Sequence, residues 1–209
     1  MASRSGAPGR AVYLNAATRT AILMPPRTGS RALAAVALEH GFIDVNAHHF
    51  TTPAALAASD KRYMMVRHHL DALASWFTQK VRPFPSVAAW VRDWYPRAGT
   101  GDDGEARYVC PGAYYGMWMP HATDVVRYED YDAAVETIFG PGVVARRVTD
   151  VTSIRAGRPW QDFYSQADEA YVRGLFAAEM RALGYDSPAE AAQDTLDPCA
   201  AIPDFDVPA

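Results

Sequence analysis

The chain has 209 residues, of which 49% are hydrophobic and 21% charged, with a net charge of −4. That length supports one α/β core and is short for two full domains, and the acidic balance excludes a non-specific nucleic-acid binder, which needs a basic surface. Two cysteines, Cys110 and Cys199, exclude a disulfide framework, and no apolar run reaches the length that spans a bilayer.

Residues 1–12 read as a flexible, polar lead. The first strong element runs from Thr20 to Leu33. An apolar stretch, Ala21 to Met24, meets Pro25 and Pro26. A short Arg27-Thr28-Gly29-Ser30 turn follows, then an Ala/Leu-rich segment with helical spacing. This pattern predicts a strand, a tight loop and a helix start. Backbone N–H groups at such a helix start bind anions. Gly29 lets the backbone approach a ligand closely. Thr28 and Ser30 add hydroxyl donors, and Arg27 adds a planar cationic fork. The stretch therefore predicts a ligand carrying phosphate or sulfate. It is not a Walker A loop, which needs Lys directly after its second Gly; here Ser30 follows Gly29.

Farther along, Asp44 to Phe50 follows an apolar stretch near the expected end of a second strand and carries His48 and His49. Arg62 to Arg67 reads as a short buried strand ending in a basic residue. His68 to Gln79 follows as an amphipathic helix, with Leu70, Leu73, Ala74 and Phe77 on one side. An Arg at the C-terminal end of a parallel strand points into the crevice where α/β folds bind ligands. Ser75, eight residues on, can reach the same anion. Taken singly, Ser75 reads as a surface serine and Arg67 as half of a surface ion pair; their joint spacing downstream of the loop points to a shared ligand.

Pro85 to Trp94 predicts an aromatic helix, with Val87, Trp90, Val91 and Trp94 at helical spacing. Gly99 to Glu105 reads as a loop tip, and Pro111 to Met119 is rich in aromatics and Gly. Asp124 to Tyr131 predicts another strand end. Ser165 and Asp168 form a capping-box-like start to a helix running to about Leu183, closed by Gly184. Residues 188–209 read as a Pro-rich tail, with a short helix expected from Pro188 to Thr195 and an extended strap after it.

Pro26-Arg27-Thr28-Gly29-Ser30 resembles the phosphosulfate loop P-[KR]-[ST]-G-[ST]-[ST] of sulfotransferases that use 3′-phosphoadenosine 5′-phosphosulfate (PAPS), with Arg31 at the sixth position in place of a hydroxyl. Arg67 and Ser75 have the separation of the family's pair that holds the 3′-phosphate. Tyr128-Glu129-Asp130 is similar to its Y-E-D strand end. The acid-start helix and final Gly184-Tyr185 are similar to the close of many carbohydrate sulfotransferases. Ser153 to Trp160 resembles the Arg-Lys-Gly loop of cytosolic members through Arg155 and Gly157. The resemblance covers roughly residues 20–185 and is nearest to the carbohydrate (Golgi-type) and bacterial branches.

The resemblance implies a three-layer α/β sandwich with a mostly parallel central sheet of 4–5 strands and a P-loop-like, phosphosulfate-binding turn after the first strand. One sulfotransferase-like domain would span 13–187. PAPS would be the sulfuryl donor and a hydroxyl on a carbohydrate or glycoconjugate the acceptor. Arg27 would clamp the leaving group, with Thr28, Gly29, Ser30 and Arg31 around the 5′-phosphosulfate. Arg67 and Ser75 would hold the 3′-phosphate, and Arg155 would cover it. The segment around Pro111 to Met119 would form the acceptor wall, where exposed Tyr and Trp stack on sugar faces. Golgi members carry a membrane anchor and this chain shows none, so the expectation is a cytoplasmic enzyme.

In-line transfer needs a base for the acceptor hydroxyl. A histidine lies between the two nucleotide motifs in several carbohydrate sulfotransferases, which makes His48 and His49 the candidates; a neutral imidazole suits the role at pH 7. Glu129 is a possible substitute base or else a structural acceptor. No metal is expected: adjacent histidines face different ways, and no Cys or carboxylate completes a tetrahedral set. Two other readings stand beside this one. A small-molecule kinase using ATP would need a Walker Lys and an Asp for Mg²⁺, and neither is evident. A non-catalytic domain binding a nucleotide or another anion would keep Arg67 and Ser75 but gain nothing from a histidine base.

Overall fold

A computed structural model describes residues 12–45, 53–78, 84–94, 114–116, 118–145 and 158–185. The strands are β1 (Val12–Asn15), β2 (Thr20–Leu23), β3 (Ile43–Asp44), β4 (Lys61–Val66) and β5 (Asp124–Arg127). They form one open sheet in the order β3-β1-β2-β4-β5. β2, β4 and β5 run parallel. β1 is antiparallel to both of its neighbours.

The parallel centre is buried on both faces, which is why its strands read as unbroken apolar runs. In β4, Tyr63, Met64, Met65 and Val66 are all buried. Strand alternation sorts the side chains into two cores. Tyr13, Ile22, Tyr63, Met65 and Val126 pack on one face beneath α1 (Ser30–Glu39) and α5 (Tyr131–Phe139). Val12, Leu23, Met64 and Val66 pack on the other beneath α3 (His69–Phe77), α4 (Val87–Trp94), α6 (Gln166–Leu175) and α7 (Ala177–Ala182). A short α2 (Pro53–Ala57) precedes β4. Helices thus cover both faces of the described sheet.

Three features differ from the sequence reading. The loop at Arg27 follows the second strand, not the first, because β1 and β2 form a hairpin. Asn15 Oδ1 accepts from the N–H groups of Ala17 (3.0 Å) and Thr18 (3.1 Å) and so turns the chain. The strand expected before His48 is the two-residue β3, which pairs with β1. The helix expected from Ser165 to Leu183 is two helices that meet at Phe176, shortly after the poor helix former Gly174. Its start is as expected: Ser165 Oγ accepts from the Asp168 N–H at 3.1 Å. The helix predicted from Pro85 is α4, with Val87, Trp90 and Val91 buried.

His48, His49 and Arg155 lie outside the described residues, as do the lead up to residue 11, the loop tip from Gly99 to Glu105 and the tail from 188. Among the described residues no helix is long and apolar enough to cross a membrane.

Candidate anion-binding site

The site is built where β2, β4 and β5 end side by side. After β2, the Pro25 carbonyl accepts from Thr28 Oγ1 at 2.7 Å. Thr28 is fully buried, so its hydroxyl is used inside the loop and is not offered to a ligand as the sequence suggested. Arg27 and Gly29 both adopt left-handed backbone, at φ 65° and 82°. For Arg27 this costs about 1–3 kcal/mol, and it persists only where the surroundings enforce it. They do so here: Tyr114 Oη donates to the Pro26 carbonyl at 2.9 Å, and Arg67 Nη1 donates to the Arg27 carbonyl at 3.1 Å. Gly29 is required twice over. Besides its positive φ, an added Cβ would lie 2.6 Å from Tyr128 Cε2.

Arg27 turns its guanidinium onto α3, where Nη2 and Nε donate to Ser75 Oγ at 3.0 and 3.3 Å. Arg67, directly after β4, donates from Nε to Asp71 one turn along α3. Its guanidinium carbon sits 4.5 Å from the centre of the Tyr128 ring, directly after β5. Arg27, Arg67 and Ser75, far apart in sequence, are therefore brought together. The contact differs in detail from the expected pair: Ser75 is engaged by Arg27, and Arg67 reaches the loop through a backbone carbonyl. Ser30 and Arg31, both half-buried, open α1. Gly29 gives that helix no side-chain cap, and its first turn holds no acid. The first N–H groups of a helix lack intrahelical acceptors and carry the positive end of its dipole. Together with the guanidiniums of Arg27 and Arg67, these groups can hold a multiply charged anion by charge-assisted hydrogen bonds.

The turn at 67–69, next to this cluster, is held from several sides. The His68 N–H donates to Glu129 Oε1 at 2.7 Å, and Tyr185 Oη donates to Glu129 Oε2 at 2.8 Å. Both Glu129 oxygens thus accept structural hydrogen bonds. The His68 ring stacks on Trp160 (centroids 5.3 Å apart, 11° between planes), with Tyr185 edge-on. Burial, helped by the charges of Arg173 and His69, lowers its pKa to about 4, so it is neutral at pH 7. His69 is fully buried, and its Nε2 pairs with Glu179 Oε2 at 2.5 Å.

The His69–Glu179 pair, whose partners are 110 residues apart, was missed in the sequence. One signal was available: Glu179 falls on the apolar stripe of Val172, Phe176, Met180 and Leu183, all buried. The aromatic segment is also corrected. Tyr114, Tyr115 and Trp118 are core residues, at most 1% exposed, and cannot offer ring faces to a sugar. Burial raises both phenols above the usual tyrosine pKa. Among the described residues no group of three or more His, Cys, Asp or Glu could hold a metal ion.

The chain matches no protein-family model, no curated protein and no solved structure.

Proposed function

We propose that this chain is a PAPS-dependent sulfotransferase, acting on a hydroxyl of a carbohydrate or glycoconjugate. The observation that carries the reading is the convergence of Arg27, Ser75 and Arg67 at the C-terminal ends of parallel strands, with Arg27 and Ser75 3.0 Å apart. Ligands of open α/β sheets bind at this edge. PAPS carries a 5′-phosphosulfate and a 3′-phosphate, and two separated cations beside a helix start suit two separated anions.

In this reading Arg27 stays protonated throughout and stabilises the charge that develops on the departing bisphosphate. Its fixed left-handed backbone and its bond to Ser75 give it one orientation before the donor arrives. Arg67 and Ser75 meet the 3′-phosphate, and Arg155 adds to its cover. His48 or His49 takes the acceptor proton as sulfur–oxygen bond formation proceeds. The enzyme would work in the cytoplasm, without a metal.

A binding-only domain has one observation in its favour: the described members of the cluster are anion-holding groups. The histidines decide between the two. His48→Ala and His49→Ala are made in the full chain, with adenosine 3′,5′-bisphosphate release from PAPS measured over a panel of sugar acceptors. Loss of turnover in one variant, with bisphosphate affinity unchanged, supports the transferase. Turnover that survives both substitutions contradicts a histidine base, and no turnover in the unaltered chain despite bisphosphate binding favours the binding-only domain.

A further inference from the structure

The last described helix, α7, carries a carboxylate where its packing calls for an apolar side chain. Glu179 is 6% exposed, between the buried Phe176 and Met180. Burying a carboxylate costs several kcal/mol unless it is paired and hydrogen-bonded, and apolar replacement of such a pair is often neutral or stabilising. Stability alone is therefore a weak reason for Glu179. Its partners suggest another. Oε2 pairs with His69 Nε2, and Oε1 accepts from the Tyr115 N–H at 2.7 Å. The Tyr115 hydroxyl in turn accepts from the Arg67 N–H at 2.9 Å and donates to the Arg67 carbonyl at 2.5 Å. One carboxylate thus grips the 67–69 turn at two points: His69 directly, and Arg67 through Tyr115.

The surroundings make this grip stiff. The His69 ring packs among Tyr114, Tyr115, Phe176 and Tyr185. Tyr115 is fully buried, so neither it nor the imidazole has solvent to turn toward. The end of the same C-terminal segment adds a third hold, since Tyr185 fixes Glu129, which accepts from the His68 N–H.

We propose that Glu179 is a positioning residue: acting through Tyr115 and His69, it sets the backbone of Arg67, so that α7 determines how well the site binds an anion at Arg67. The ligand named in its test, a 3′-phosphate, rests on the sulfotransferase reading; the grip on Arg67 does not.

The experiment uses the full chain and two variants. Glu179→Leu removes the grip while filling the space. Glu179→Gln keeps a carbonyl oxygen for the Tyr115 N–H. Amide hydrogen exchange at Arg67 is compared with exchange at Met64 and Met65 in the same strand. The affinity for adenosine 3′,5′-bisphosphate is compared with that for adenosine 5′-phosphosulfate, which lacks the 3′-phosphate. In Glu179→Leu, Arg67 exchange should rise about tenfold or more with Met64 and Met65 unchanged. Bisphosphate binding should weaken about tenfold while phosphosulfate binding holds. Glu179→Gln should restore most of both. Uniform acceleration of all three amides, or an unchanged Arg67, overturns the proposal. If Glu179→Leu does not fold, Glu179→Gln and Tyr115→Phe give the same comparison. If the unaltered chain fails to bind bisphosphate, the sulfotransferase reading falls and the exchange data alone decide the grip.

Discussion

The two faces of the sheet are built differently. Beneath α1 and α5 the buried residues are aliphatic or aromatic: Leu33, Val36, Val135 and Tyr131 stand for the layer. Beneath α3 and α7 the core also holds His69, Ser75, Thr78 and Glu179. Thr78 Oγ1 returns its hydrogen bond to its own helix, at the Ala74 carbonyl. The other three lead to Arg27 and Arg67 at the strand ends. The first face meets the site through the Tyr128 ring beside Arg67; the second is tied to it by hydrogen bonds from its own buried polar groups. A polar group inside a core is costly unless its partners are complete, so buried polar side chains whose hydrogen bonds run to the strand ends mark where packing serves something besides packing.

The sharpest way to break this comparison is to cut each face separately. Ile22→Ala, beneath α1, should lower stability by about 2–5 kcal/mol, as large-to-small core changes do. Thermal or urea unfolding would measure the loss, and the folded fraction should keep its anion affinity. If affinity falls as well, the first face also shapes the site.

Ser75→Ala acts on the other face. It removes the acceptor of the Arg27 guanidinium. Stability should change little, while anion affinity falls roughly fivefold to tenfold, the equivalent of about 1 kcal/mol, read by calorimetric titration. An unchanged affinity would reduce the Arg27–Ser75 contact to packing.

A further effect concerns pH. The folded-state pKa of His68 is about 4, below its ordinary 6.5. The unfolded chain therefore binds this proton first, so the neutral ring contributes stability that is complete above pH 6.5 and is lost as pH falls toward 4. Urea denaturation from pH 7 to 4 should show a shallower decline in His68→Gln than in the unaltered chain. Parallel curves would mean that the ring is more open to solvent than its stacking on Trp160 indicates.

How much was legible in the sequence follows the same division. The strand–loop–helix at Arg27 and the strand ending at Arg67 were readable because each is a local apolar run next to local turn chemistry. The position of Ser75 on the helix that follows Arg67 was readable because helix geometry converts spacing into position, whereas its contact with Arg27 was not. β1 was not, since four residues beside a polar lead give little period to read. The side chains that tie the site together were largely hidden. Tyr114, Tyr115 and Glu179 reach Pro26, Arg67 and His69 across long separations, and no local pattern encodes such pairings. Tyr128 was visible as part of a strand end, but its role over Gly29 and Arg67 belongs to the packing of β5 against β4.

The central claim is that Arg27, Ser75 and Arg67 form a site for a nucleotide with a 3′-phosphate. Calorimetric titration of the full chain with adenosine 3′,5′-bisphosphate, run beside AMP and ATP with Mg²⁺, tests it most directly. The account predicts micromolar binding of the bisphosphate, none of AMP, and a loss of about 30-fold or more in Arg67→Ala, as expected for a charge-assisted contact worth roughly 2–3 kcal/mol. Preference for ATP with Mg²⁺, or no nucleotide binding at all, would contradict it.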